Sequence, residues 1–438
     1  MFKGLINAFK IEDIRKRLFY TLLMLVVIRI GSQLPVPGVN GALFSEFMRG
    51  LGESMDFFNA VTGGSFEDLS IFALNITPYI TSSIIMQLLT IAIPKLEEMH
   101  KDGEEGRKKI ASITRYLTVA LALIESTAMT IGFYRSGYLT AKNPLNVIMV
   151  IMALTAGSAV LMWIGEQITD KGIGNGISIV LTINILSRIP SDLRSLWDLF
   201  AKGKTWPRAT LVVIIIAAII ILTVVLVLLL SDGVRKIPVQ YSRKIQGRMA
   251  GGTQNSHIPM RINTSGVIPV IFAQSLLQTP VIICSLAGKS GGTGFWGKVL
   301  AALSQSHWCN RNLPWYNNIG LVVYIALIIA FAYFYTSITF NPLEIADNMK
   351  KSGGIIPGIR QGKPTADYLT SILNYIVLIG AIGLSIVSII PIFFNGMFGA
   401  SVSFGGTSII IIVGVVIETI KQVESKMRVR HYKGFLED

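Results

Sequence analysis

The chain has 438 residues, of which 51% are hydrophobic and only 15% charged. A water-soluble chain of this length would divide into about two or three domains carrying about 25% charged residues. Here the apolar content runs evenly from end to end, which excludes an ordinary soluble protein and points to one polytopic membrane domain. The formal net charge of +14 is then explained first by basic loops that obey the positive-inside rule, and only secondarily by nucleic acid.

The N-terminal segment MFKGLINAFKIEDIRKRL is amphipathic and basic without a small-residue cleavage site, so no removable signal peptide is expected. A hydrocarbon core about 30 Å thick requires roughly 20 apolar residues per helix. Ten stretches are expected to cross it, at 18–36, 71–93, 112–134, 145–166, 173–190, 209–231, 264–287, 319–339, 368–393 and 407–423; the sixth, Ala209–Ser231, contains no charge. Between the first two lies Phe57–Asp68 (FFNAVTGGSFED), apolar in part and far too short to cross. Such a segment is either an ordinary surface loop with a short helix or backbone at membrane depth that lies within protein or lines a cavity. The loop at 232–263 is long, basic and rich in β-branched residues and glycine, which suits a cytosolic hairpin, and the loop at 341–367 has similar charge.

With ten spans both termini share one side. Placing that side in the cytosol puts roughly 26 Lys and Arg there against about 11 opposite, which sets the orientation. Division into five and five gives an N-terminal half over 1–190 and a C-terminal half over 191–438. An odd number per half makes the second enter from the opposite face, as in inverted-repeat transport folds.

Enzymatic chemistry finds little support. Cys284 and Cys309 cannot build a disulfide framework or a metal site, and the four histidines lie far apart with none in HExxH. Gly292–Lys298 spells most of a phosphate loop, but Val299 stands where Ser or Thr must reach Mg²⁺ and no strand precedes it. Gly172–Gly176 opens a membrane span rather than a βαβ unit. No catalytic residue, cofactor or metal is expected, so any driving force must come from a partner. Glu125 is the one clear mid-span carboxylate. An ionisable group at that depth defaults to a functional hypothesis, with a static interhelical hydrogen bond as the alternative. It is also the feature that keeps a second function class open, a secondary transporter of a small solute.

Several stretches, in order along the whole chain, resemble the SecY family, the central channel subunits of the Sec protein translocase. They are Arg29–Gly38 (RIGSQLPVPG), Ser70–Leu89 (SIFALNITPYITSSIIMQLL), Gly103–Lys109 (GEEGRKK) with Thr114–Tyr116 (TRY), and Trp163–Ser178 (WIGEQITDKGIGNGIS). Gly266–Phe272 (GVIPVIF), Phe340–Pro342 (FNP) with Ala346–Gly353 (ADNMKKSG), Pro357–Arg360 (PGIR) and Phe404–Ser408 (FGGTS) follow. The resemblance implies an all-α polytopic membrane protein whose ten helices form two inverted five-helix halves, a clamshell around a central pore. That pore passes unfolded secretory polypeptides across the bacterial plasma membrane, and membrane segments sideways into lipid.

It further implies a ring of apolar side chains at the waist, matching Ile76, Ile80, Ile177, Leu181, Ile271 and Ile411. A dry constriction blocks ions by dewetting. The segment 57–68 matches a plug, carried by Phe57, Phe58, Asn59, Val61, Gly63 and Gly64, with the two glycines suited to a hinge. Spans 2 and 7 match a lateral gate with Thr81, Ile85, Glu125, Gln274, Ser275 and Gln278, in which Glu125 would join Thr81 and Ser275 in a hydrogen-bonded latch. Arg360, then Arg243, Lys244 and Arg248, match docking sites for the motor ATPase SecA or for ribosomal RNA phosphates. Salt-dependent binding by cationic loop tips is expected there; Met249 stands where the family often has a second arginine. The remaining implied partners are the small membrane subunits SecE and SecG, signal-sequence-bearing polypeptides and membrane lipid.

Overall fold

The structure, a computed structural model, describes residues 9–41, 43–45, 62–200, 206–241, 255–286, 295–309, 314–398 and 406–433. Its helices in chain order are α1 (Glu12–Gly31), α2 (Thr77–Ala92), α3 (Pro94–Lys101), α4 (Gly103–Ser136), α5 (Pro144–Lys171), α6 (Gly176–Phe200) and α7 (Trp206–Asp232). After strands β1 (Val234–Tyr241) and β2 (Asn255–Arg261) come α8 (Ile268–Leu286), α9 (Phe295–Leu303), α10 (Ile319–Thr339) and α11 (Pro342–Lys351). Strand β3 (Gly354–Ile355), α12 (Lys363–Phe398) and α13 (Gly406–Lys433) complete the set. Each of the ten expected spans overlaps one of the longer helices. By length and composition five described helices qualify as membrane spans, and a sixth does so if α2 and α3, bent by 107° at Ile93, are one span.

Helices and spans differ in places that have physical causes. The second span was expected from residue 71, yet helix α2 begins only at Thr77, with Pro78 in its first turn. Proline disfavours helical backbone in the residue before it and removes a donor that a first turn does not need. Residues 70–76 form turns instead, with Asn75 at φ +51°. The fifth span was expected to stop at Pro190, but α6 carries this proline inside the helix and runs on to Phe200.

The chain divides into two compact units, one of residues 1–210, 283–292 and 399–438, the other of 211–282 and 293–398. The first holds α1–α6 with α13. Its core joins Ile28 of α1, Phe72 and Ile76 of the turn segment, Leu161, Ile164 and Ile168 of α5, and Ile179 and Val180 of α6. Close backbone approach makes this packing possible. A Cβ on Gly176 would overlap the carbonyl oxygen of Gly165, and one on Gly157 would overlap that of Ile71.

The second unit holds α7–α12 and the strands. β1 pairs antiparallel with β2 from Val234↔Arg261 to Gln240↔Asn255, and with β3 at Gln240↔Ile355, in the order β2-β1-β3. The expected hairpin at 232–263 is therefore present at its base, and β3 draws in the basic segment at 341–367. Ile237 and Val239, two apart and so on one face of the strand, are buried with Met260, Met349, Ile356 and α12 residues such as Leu369 and Leu373.

Replacing Gly176 by valine forces atoms into the Gly165 backbone. Overpacking of this kind costs ~1–3 kcal/mol, so Gly176→Val is expected to lower the thermal unfolding midpoint in detergent. Gly414→Ala, where a Cβ meets nothing within 4 Å, should leave it in place.

Candidate functional site

The site in the first unit is built where the turn segment 70–76 enters α2. Three elements hold it. Ser158 of α5 donates its hydroxyl to the Asn75 carbonyl at 3.0 Å, and the Asn184 amide of α6 donates to the Asn75 side-chain oxygen at 3.1 Å. Arg29, in the last turn of α1, reaches the Asn184 oxygen at 3.5 Å. Asn75 and Asn184 are both buried, so each polar atom removed from water here needs its partner. Asparagine also tolerates the left-handed backbone that residue 75 adopts.

This network fixes the residue that follows. Ile76 is fully buried at the N-cap of α2. Ile80 lies one turn further, and Ile177 joins both in the same apolar cluster. Leu181, one turn after Ile177 and hence on its face, is buried, as is Ile411 of α13. Val415, a turn beyond Ile411, packs against the cluster as well. Ile271 belongs to α8 of the second unit, where it is half-buried and its neighbour Phe272 stacks on Phe331 at 5.3 Å.

Of the expected plug, Phe57, Phe58, Asn59 and Val61 lie outside the described residues. Gly63 and Gly64 are described, with φ of +65° and +87°. A Cβ on Gly63 would sit 2.7 Å from the Asn184 carbonyl oxygen, so glycine is needed there for close seating on α6 as well as for backbone freedom. Of the described part, residues 63–69 form turns.

Among the gate residues, Thr81 donates its hydroxyl to Thr77 on its own helix at 3.1 Å, and no hydrogen bond joins it to Glu125. Ile85 and Glu125 are half-buried. What ties α2 to α4 is Ser82, whose hydroxyl lies 2.5 Å from that of Thr118. In the second unit Gln274 is buried and donates to Gln305 at 2.9 Å, while Ser275 is half-buried. Gln278 lies on α8, and its side chain is outside the described residues.

Of the docking residues, Arg243, Lys244 and Arg248 are outside the described residues. Arg360 is exposed at the end of a braced turn: Ile356 is buried beneath it, Ile359 donates to Ile356 at 3.0 Å, and Thr365 donates to the Arg360 carbonyl at 2.8 Å. Near the ends of α1 and α13, burial and neighbouring Arg17 hold the Lys426 ammonium below its usual range, with Asp13 opposing them.

Two ion pairs escaped sequence reasoning. Arg115 of α4 meets Glu166 of α5 at 2.7 Å, and Arg188 of α6 meets Glu67 at 3.1 Å. An arginine inside an apolar stretch, as Arg188 is, was the available signal for the second. Among the described residues no cluster of metal-ligating side chains occurs.

A SecY family model matches residues 70–420 of this chain. The chain belongs to the SecY family. The protein translocase subunit SecY of Bacillus subtilis is 42% identical with full coverage of both chains, and that of Streptomyces scabiei is 41% identical, also with full coverage. In fold, the chain is similar to a structure described as a protein conducting channel, with a TM-score of 0.63 at 19% identity, covering 94% of this chain and 93% of the other. It is likewise similar to a channel structure in which the plug domain of SecY is described as stabilising the closed state, with a TM-score of 0.63 at 20% identity, 94% and 92% covered. Sec61 of the canine ribosome-channel complex gives a TM-score of 0.61 at 19% identity, 94% and 93% covered. SecY membership accounts for the order of the motifs, and the packing gives their local reasons. Gly165 and Gly176 of the WIGEQITDKGIGNGIS stretch are a close backbone contact, and Pro78 of SIFALNITPYI starts α2 directly after the turn segment.

The side-chain amide of Asn184 bridges buried Asn75 and half-buried Arg29, so Asn184→Leu removes one hydrogen bond from each at a cost of ~1–3 kcal/mol. Limited proteolysis should then cut between residues 62 and 76 markedly faster than in the unaltered chain.

Proposed function

We propose that this chain is a non-enzymatic, protein-conducting channel that passes unfolded polypeptides across the membrane and releases apolar segments into lipid. The observation that carries the reading is the packing of Ile76, Ile80 and Ile177 into one apolar cluster, at the first turns of two helices, in a chain of the SecY family. Six residues, those three with Leu181, Ile271 and Ile411, form the constriction in this proposal. Their apolar bulk keeps water and ions out at rest and makes no directional bond that a sliding chain would have to break.

Residues 57–68 act as the plug. Thr81, Ile85, Glu125, Gln274, Ser275 and Gln278 line the lateral gate, where Thr81, bonded to Thr77 at rest, would meet Glu125 on opening. Sequence division at 190 separates the two inverted halves. The membrane is the bacterial plasma membrane with both termini cytosolic, as the distribution of Lys and Arg supports. SecE and SecG are the small membrane partners. SecA and the ribosome supply the push, docking on Arg360 and on the tip bearing Arg243, Lys244 and Arg248; similarity to Sec61 in a ribosome-channel complex supports the ribosome as a partner. Secondary transport of a solute has only Glu125 in its favour, and the relatives named above are translocase subunits.

A secretory precursor arrested midway should crosslink to photoreactive side chains at Ile80 and Ile271; solute uptake without such crosslinks would speak for the transporter. Arg360→Glu should weaken binding of SecA or of ribosomes, measured by co-sedimentation at low salt, and the difference from the unaltered chain should shrink as salt is raised.

A further inference from the structure

The segment 62–70 has one end firmly tied. Val36 donates to the Leu69 carbonyl at 3.0 Å, Ile71 donates to the Leu34 carbonyl at 2.9 Å, and Pro35 bridges to Ser70. Leu69 itself is buried with φ +48°, a backbone that a γ-branched residue holds only where its surroundings impose it. The chain is therefore anchored at Leu69. Upstream of that point the segment lies on α6: Gly63 abuts the Asn184 backbone, and Ser187 donates to the Gly63 carbonyl at 3.4 Å. Phe66 meets Phe44 edge to face at 6.0 Å.

One contact in this seat differs in kind from the rest. Glu67 and Arg188 pair at 3.1 Å with side chains only 27% and 19% exposed. Surface ion pairs hold little, but a pair removed this far from water is weakly screened, and removing one partner strands the other. Among the described residues the Nε of Arg188 has no hydrogen-bond partner and the Glu67 carboxylate is the acceptor its guanidinium meets.

We infer that Glu67 and Arg188 form a charge latch that holds residues 62–68 against α6, and that breaking this pair is the step that frees them. These are positioning residues, and their role rests on the channel reading above. The latch moves the pivot away from Gly63 and Gly64: those glycines permit seating on α6, and the swing begins at Leu69.

The test uses vesicles containing the full chain with its small membrane partners, and reads resting ion efflux. Glu67→Gln and Arg188→Gln should each raise efflux about tenfold, the shift that loss of one charge-assisted contact produces. Because each single variant already breaks the pair, the double variant should leak no more than either one, whereas independent effects would multiply. Arg188→Lys, which keeps the charge, should remain near the unaltered efflux. Multiplied leaks, or no rise in either neutral variant, would overturn the latch. Export of a secretory precursor by the unaltered chain in the same vesicles separates the two claims: its absence counts against the channel, its presence with tight Glu67→Gln vesicles against the latch alone.

Discussion

The candidate site in the first unit depends on how residues 70–76 are held out of helical form between α1 and α2. Backbone that is not helical must satisfy its donors and acceptors within the protein, and here it does so through Ser158, Asn184 and the strand-like contacts with residues 34–36. Glycine at 157 lets α5 approach the Ile71 carbonyl closely enough for this to happen. The result is a rigid platform, and Ile76 stands at its end. Were the segment simply the first turns of a longer α2, Asn75 would lose the left-handed backbone that sets Ile76 at the N-cap.

Polar and apolar parts of the site divide their work. Asn75, Asn184 and Arg29 give direction, since hydrogen bonds in a low-dielectric interior tolerate few alternative geometries. Ile76, Ile80, Ile177 and Leu181 give bulk without direction, which suits a surface that must seal and then yield. The ion pair between Glu67 and Arg188 stands between these modes, strong enough to hold a segment and breakable as one event.

Legibility in the sequence followed the length of the physical signal. The apolar stretches, each far longer than a soluble helix face requires, placed every long helix, and the basic, β-branched loop at 232–263 announced the hairpin. Shorter signals misled. Apolar content alone extended the second span back to residue 71, because hydropathy is blind to the backbone of Asn75 and to a proline two residues into a helix. Pro190 read as a stop, yet α6 continues through it. Nothing in the sequence marked Ser82 and Thr118 as a buried hydroxyl pair, because they lie on different helices. Motif order found the family and nominated Ile76, Ile80 and Ile177, which the fold does bring together. It could not find Glu67 with Arg188, a pair 121 residues apart in sequence that meets where residues 63–67 lie on α6.

The central claim is that apolar bulk at the waist, rather than a charge or a narrow hydrogen-bonded ring, keeps the resting membrane sealed. Single-channel recording of a chain with serine at Ile76, Ile80 and Ile177 tests it most directly. A hydrated waist should give frequent ion-conducting openings without any polypeptide present, while the same positions changed to valine should stay closed. Silence in the serine variant, with the protein shown to be folded and inserted, would contradict the account.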